Sequence, residues 1–155
     1  MRTLVIGYGN TLRGDDGVGY RAAEAVESWH LEDVVAYPCQ QLTPELAALI
    51  AESDRVIFVD ATPPQNPHSP LVLERLLTGP RGVAFTGHHS NPATLLGLAQ
   101  DLYERQPLAY ALWLPSWAMD YSEALSPIAQ TGLKQGLKRL REFLDQPDEE
   151  PLASS

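Results

Sequence analysis

The chain is poor in cysteine, in cations and in long apolar runs, and each shortage removes a class of function. Cys39 is the sole cysteine among 155 residues, so no internal disulfide can form and no cysteine-built zinc centre is available. Lys and Arg number 11 against 20 Asp and Glu, a net charge of −9. A nucleic-acid binder needs cationic surface to displace counterions, and this balance is the opposite. No apolar run approaches the roughly 20 residues that a membrane-spanning helix requires. The opening "MRTLVIGYGN" lacks the cleavage site of a secretory signal and reads as a first strand. These features together point to the cytoplasm. What is present is ordinary for a globular chain: 44% hydrophobic and 20% charged residues, enough for one domain with a single core.

Short apolar runs at residues 3–7, 34–38, 55–61 and 108–115 read as buried strands, and 71–76 as a strand at a sheet edge. Helical patterns stand between them. In residues 17–29, Val18, Ala22, Ala25, Val26 and Trp29 share one helical face. Three later helices carry a cap residue followed by proline: Thr43 and Pro44, Asn91 and Pro92, Ser126 and Pro127. The last has Lys134, Lys138, Arg139 and Arg141 on its solvated side. Alternating strands and helices predict a three-layer α/β/α sandwich around a twisted, mostly parallel sheet, with ligands bound where the strand order reverses. The single domain spans 1–145. Residues 62–70 are proline-rich and expected to be mobile, and 146–155 are expected to form a disordered, acidic tail.

The first strand leads into "GYGNTLRGDDGVG". As a dinucleotide fingerprint it lacks the third glycine, since Leu12 stands there. As a phosphate loop it has Asp15 and Asp16 where the lysine and hydroxyl residue belong, and two carboxylates repel phosphate. A third reading inverts the charge: the glycines set Asp16 at the strand's end, where it attracts a cation or positions a water. The plain alternative is that both aspartates only favour the start of the helix.

Convergence favours the charged reading. Asp60 ends the strand "VIFVD", and in doubly wound sheets the first and third strands are commonly neighbours. Asp16 and Asp60 would then share one edge. "GHHSNP" adds His88 and His89. Two carboxylates and an imidazole suit a borderline divalent cation such as nickel or zinc, with positions left open. No nucleophile competes: Ser116 is not in a nucleophile elbow, and Cys39 has no motif partner.

With its companions "QLTPELA", "DRVIFVDA", "GHHSNPATLLGLAQDLY" and "DYSEALSP", the opening motif resembles the hydrogenase maturation endopeptidases over nearly all of residues 1–143. It is most similar to members serving bidirectional, NAD(P)-linked nickel–iron hydrogenases. The resemblance implies an α/β sandwich that removes a C-terminal peptide from the hydrogenase large-subunit precursor after nickel insertion. Cleavage follows a histidine or arginine and lets the new C-terminus fold inward over the metal site. The family's three functional residues fall, by motif, on Asp16, Asp60 and His88, with His89 in reserve; some members carry glutamate at the position of Asp16. These residues act as catalytic groups, as ligands to nickel held by the precursor, or as both. No tightly bound cofactor of its own, no nucleic acid and no membrane are expected, and the chain is expected to be a monomer. The rival functions are a nickel-binding chaperone without proteolysis and a nucleotide-binding module. Among the remaining residues, Asp15 is expected to cap the helix, Asn10 to bond the loop backbone, and His30 and His68 to be exposed. Trp113, Trp117 and Tyr121 either line a groove for the precursor or pack in the core or loops.

Overall fold

Parallel strands need long crossovers, and the helical segments supply them. In the structure, a computed structural model describing residues 1–62, 71–77 and 91–146, five strands form one sheet. They are β1 (Thr3–Tyr8), β2 (Val34–Cys39), β3 (Arg55–Ala61), β4 (Val72–Leu76) and β5 (Leu108–Leu114), in the order β2-β1-β3-β5-β4. Only β4 is antiparallel, and it closes one edge as the sequence predicts. The helices are α1 (Val18–Ser28), α2 (Leu46–Ala51), α3 (Pro92–Tyr103) and α4 (Pro127–Leu144). His68, His88, His89, the run 63–70 and the tail beyond Gln146 lie outside the described residues.

Side chains alternate across a strand, so each strand feeds both faces. Val5 of β1, Ile57 and Val59 of β3, and Tyr110, Leu112 and Leu114 of β5 join Val18, Ala22 and Val26 of α1 and Leu140 and Phe143 of α4 in one core. Leu4 and Ile6, Val56 and Phe58, and Ala109 meet Leu46 and Ile50 of α2 and Leu95, Leu96 and Ala99 of α3 in the other. The result is the predicted three-layer sandwich. At the edge of the sheet where the parallel strands begin, the buried Arg55 donates from Nε to Thr3 Oγ1 at 3.0 Å, and its guanidinium lies 4.8 Å from the Phe143 ring centroid. It ties β1, β3 and α4 together.

The caps of α3 and α4 are those expected: Asn91 Oδ1 accepts from Thr94 N at 2.8 Å, and Ser126 Oγ from Ala129 N at 3.2 Å. The cap expected at Thr43 is not formed. Pro44 and Glu45 make a turn, bonded through the Thr43 and Pro44 carbonyls, and the helix begins at Leu46.

The return from β1 into α1 is tight. Gly19 lies so close to β1 and β3 that a Cβ there would sit 2.7 Å from the Tyr8 carbonyl oxygen and nearer still to that of Val59. Both obstacles are backbone and cannot swing away. Gly19→Ala should therefore cost about 2 kcal/mol by overpacking, read as a lower urea midpoint with an unchanged slope.

Candidate functional site

The parallel strands β1, β2, β3 and β5 end together at one edge of the sheet. Pairing places Cys39 beside Tyr8 and Asp60 beside Trp113. Ile6 pairs with Phe58, so two residues further on Tyr8 stands next to Asp60. The last row across this face is therefore Cys39, Tyr8, Asp60, Trp113. The row beneath it is Tyr37, Ile6, Phe58, Ala111. Asp60 thus occupies a position that is apolar one row below, and it carries its charge at the lip of a hydrophobic layer.

That placement sets its chemistry. Burial pushes the Asp60 carboxyl up to about 6, against hydrogen bonds from Ala61 N and the Tyr8 hydroxyl, which favour the charged form; the nearby Asp16 carboxylate pushes it up further. Asp60 Oδ1 accepts from Ala61 N at 2.7 Å. Tyr8 is raised above its ordinary value by burial first, then by the charge of Asp60 and its hydrogen bond to it. The Tyr8 hydroxyl therefore stays protonated as a donor.

Asp16 reaches the same place from the loop. Gly9, at φ 144°, turns the chain back where a Cβ would collide with the Asp16 carbonyl oxygen. Asn10 N donates to Asp16 Oδ2 at 3.0 Å, while Asn10 Oδ1 accepts from Leu12 N at 2.9 Å, the backbone bond expected of it. Asp16 and Asp60 line one cavity of about 190 Å³ with Tyr8, Gly9, Gln40, Gln41 and Leu42. The sequence-derived pair is thus brought together at the ends of adjacent strands. His88 and its reserve His89 lie outside the described residues. Among the described residues no three His, Cys, Asp or Glu side chains cluster as a metal site.

Asp15 does something other than cap α1. The residue capping α1 is Gly17, without a side-chain bond, and Asp15 lies in a 3-10 turn, Gly14–Gly17, with no exposed surface. Its Oδ2 accepts from Trp117 N at 2.7 Å, Ala118 N at 2.9 Å and Ser126 Oγ at 2.6 Å, and its Oδ1 from Ser126 N at 2.8 Å. Burial alone would raise this carboxyl, but the four donors hold it below its ordinary value. Backbone bonds from Gly14 N to Ser122 O, Ser122 N to Leu12 O and Asp15 N to Ala118 O complete the join. The loop after β5 is thereby locked against the loop after β1.

The other candidates sort by exposure. Trp117 is 54% and Tyr121 86% exposed, so neither is core. Trp113 is half-buried and donates from Nε1 to Glu74 Oε1 at 2.8 Å. Ser116 is buried and donates its hydroxyl to the Thr62 carbonyl, a structural role. Burial pushes the Cys39 thiol up to about 11, so it is no thiolate nucleophile. His30 is exposed, as expected. No helix among the described residues is long and apolar enough to cross a membrane.

No protein-family model matches the sequence, and no curated protein does. Solved structures do resemble the fold. The hydrogenase maturating endopeptidase HybD from E. coli superposes with a TM-score of 0.69 at 23% identity, covering 97% of this chain and 96% of that one. The [NiFe] hydrogenase maturation protease HycI from Thermococcus kodakarensis KOD1 gives 0.69 at 22% identity, over 94% and 90% of the two chains. A hydrogenase 2 maturation peptidase from Thaumarchaeota archaeon SCGC_AB-539-E09 gives 0.69 at 24%, over 94% and 99%. At these identities the likeness is one of fold, along nearly the whole length of each chain.

Proposed function

We propose that this chain is an endopeptidase that removes the C-terminal extension of a nickel–iron hydrogenase large-subunit precursor after nickel insertion. The observation that carries the reading is the pairing of Asp16 and Asp60 in one cavity at the ends of adjacent strands. It lies within a fold shared with proteins named as hydrogenase maturation endopeptidases. The subgroup is that serving bidirectional, NAD(P)-linked enzymes, and the chain acts as a cytoplasmic monomer.

The chemistry follows from the different surroundings of the two acids. Asp60, raised to about 6 by burial, retains a proton near neutrality for part of the population. In the proposed reaction Asp16 takes a proton from a water whose oxygen attacks the scissile carbonyl carbon. The C–N bond then breaks, and the leaving amine nitrogen takes the proton of Asp60. His88 polarises the carbonyl and stabilises the oxyanion. Nickel belongs to the substrate: held by the precursor, it is read by the same acids and brings the scissile bond to them, so that positioning contributes to the rate. The enzyme carries no tight metal at rest, and stoichiometric metal in freshly purified protein would overturn that part of the reading.

The test is a gel assay with a cognate precursor, nickel-loaded or nickel-free. Shortening of the loaded form alone supports the endopeptidase. No shortening, with nickel passing between the proteins, identifies a metallochaperone instead. In the same assay Asp16→Glu should stay within about tenfold of the unmodified protein, because it keeps the carboxylate. Asp16→Asn, which cannot take a proton, should lose about 10²-fold or more.

A further inference from the structure

The cavity is also lined by a tyrosine whose hydroxyl the reaction above does not use. Tyr8 ends β1, and its ring packs on the layer formed with α2 and α3. The register sets it beside Asp60, and both line the cavity shared with Asp16. We propose that Tyr8 is a positioning residue for Asp60, its hydroxyl fixing the rotation of the carboxylate so that the oxygens it leaves open face Asp16 and the bound substrate. The inference rests on the endopeptidase reading and assigns a further residue to the same site.

Three observations carry it. First, the placement is dictated by the sheet: Tyr8 follows Leu4 and Ile6 on one face of β1, Asp60 follows Val56 and Phe58 on the same face of β3, and these pairs are in register. Neither group reaches the other through a flexible loop. Second, Asp60 Oδ1 accepts from Ala61 N at 2.7 Å, and the Tyr8 hydroxyl stands beside the same carboxyl in the cavity as a second donor. The last torsion of an aspartate is broad and roughly two-fold, and one backbone donor on Oδ1 leaves the other oxygen free to swing. A second donor from a packed ring removes that freedom. Third, a tyrosine at the lip of an apolar layer places its ring in the layer and its oxygen at the wet edge, which suits a rigid hydrogen-bond arm.

The variant that isolates the hydroxyl is Tyr8→Phe. It keeps the ring and its packing, so folding is checked by thermal melting and is expected to be preserved. With nickel-loaded precursor, kcat should fall about tenfold or more, the scale seen when groups that orient reacting or ligating side chains are removed. KM should stay within about twofold, because the hydroxyl acts through Asp60 rather than by binding the precursor. A kcat within about twofold of the unmodified protein overturns the proposal. So does a loss confined to KM, which would make Tyr8 a substrate contact. If the unmodified protein does not cut the loaded precursor, the endopeptidase reading falls and takes this inference with it. If it cuts and Tyr8→Phe cuts equally well, only the inference falls.

Discussion

Asp60→Asn should abolish precursor cleavage, by about 10³-fold or more, and at the same time raise the melting temperature at pH 7. The two effects share one cause. Burial raises the Asp60 carboxyl from its ordinary value to about 6 in the folded protein. Between roughly pH 4 and 6 the native state therefore binds more protons than the unfolded chain, and stability declines as pH rises through that window. The contribution of Asp60 is fully present below about pH 4 and lost above 6. At one pKa unit per 1.36 kcal/mol the penalty at pH 7 has a ceiling of about 3 kcal/mol. Asparagine keeps the shape, its side-chain oxygen still accepts from Ala61 N, and it carries no charge to desolvate. An increase of about 5 °C is expected at pH 7, shrinking toward zero near pH 4. Melting curves in metal-free buffer at both pH values check this, beside the cleavage assay. A variant that is inactive because it is less stable at pH 7 would refute the assignment. In the proposed reaction the costly placement of this acid is what its role requires.

The largest loss of stability should come from the neighbouring acid. Asp15→Ala removes the acceptor of four hydrogen bonds and leaves the N–H groups of Trp117, Ala118 and Ser126 without their partner. Unsatisfied buried donors cost roughly 1–3 kcal/mol each, tempered by water entering the gap, so about 4 kcal/mol is expected. For a chain of this size that is a fall of about 10 °C or more. Asp15→Asn should recover only part of it: with its oxygen facing Trp117, Ala118 and the Ser126 hydroxyl, its amide group meets the Ser126 N–H donor to donor. The pH dependence is opposite to that of Asp60. The Asp15 carboxyl is held below its ordinary value, so its contribution is present above about pH 4 and lost as pH falls through the lower native value. Denaturant titrations at pH 7 and pH 3 should show Asp15→Ala far below the unmodified protein at the first and nearer to it at the second. An equal deficit at both would remove the charge from the explanation.

The pair Asp16 and Asp60 was legible because each requirement is local or general. A glycine turn after the first strand, a strand ending in aspartate, and the common adjacency of first and third strands together place both acids at one edge. Strand runs were readable from their apolar composition, and two of the three cap-plus-proline signals because their partners lie within four residues. Asp15 was not readable, because its donors lie 102–111 residues further along the chain. Locally it looks like any acid at a helix start. Tyr8 was hidden differently. Between two glycines it occupies a position that the motif leaves open, and its value appears only once the register sets it beside Asp60. Thr43 misled because a threonine before proline suits a turn as well as a cap, and here the turn formed.

The 3-10 turn that carries the acidic pair converts adjacency in the chain into divergence in space. With three residues per turn, successive side chains leave the axis about 120° apart. Asp15 is therefore directed to the interior and Asp16 to the cavity. The spacer between Gly9 and the pair accordingly works as a phase angle. One residue more or fewer would rotate both acids together, withdrawing Asp15 from its donors and Asp16 from its cavity. Loop length is thus part of the geometry, because the bonds of Asp15 and the place of Asp16 in the cavity depend on the same turn.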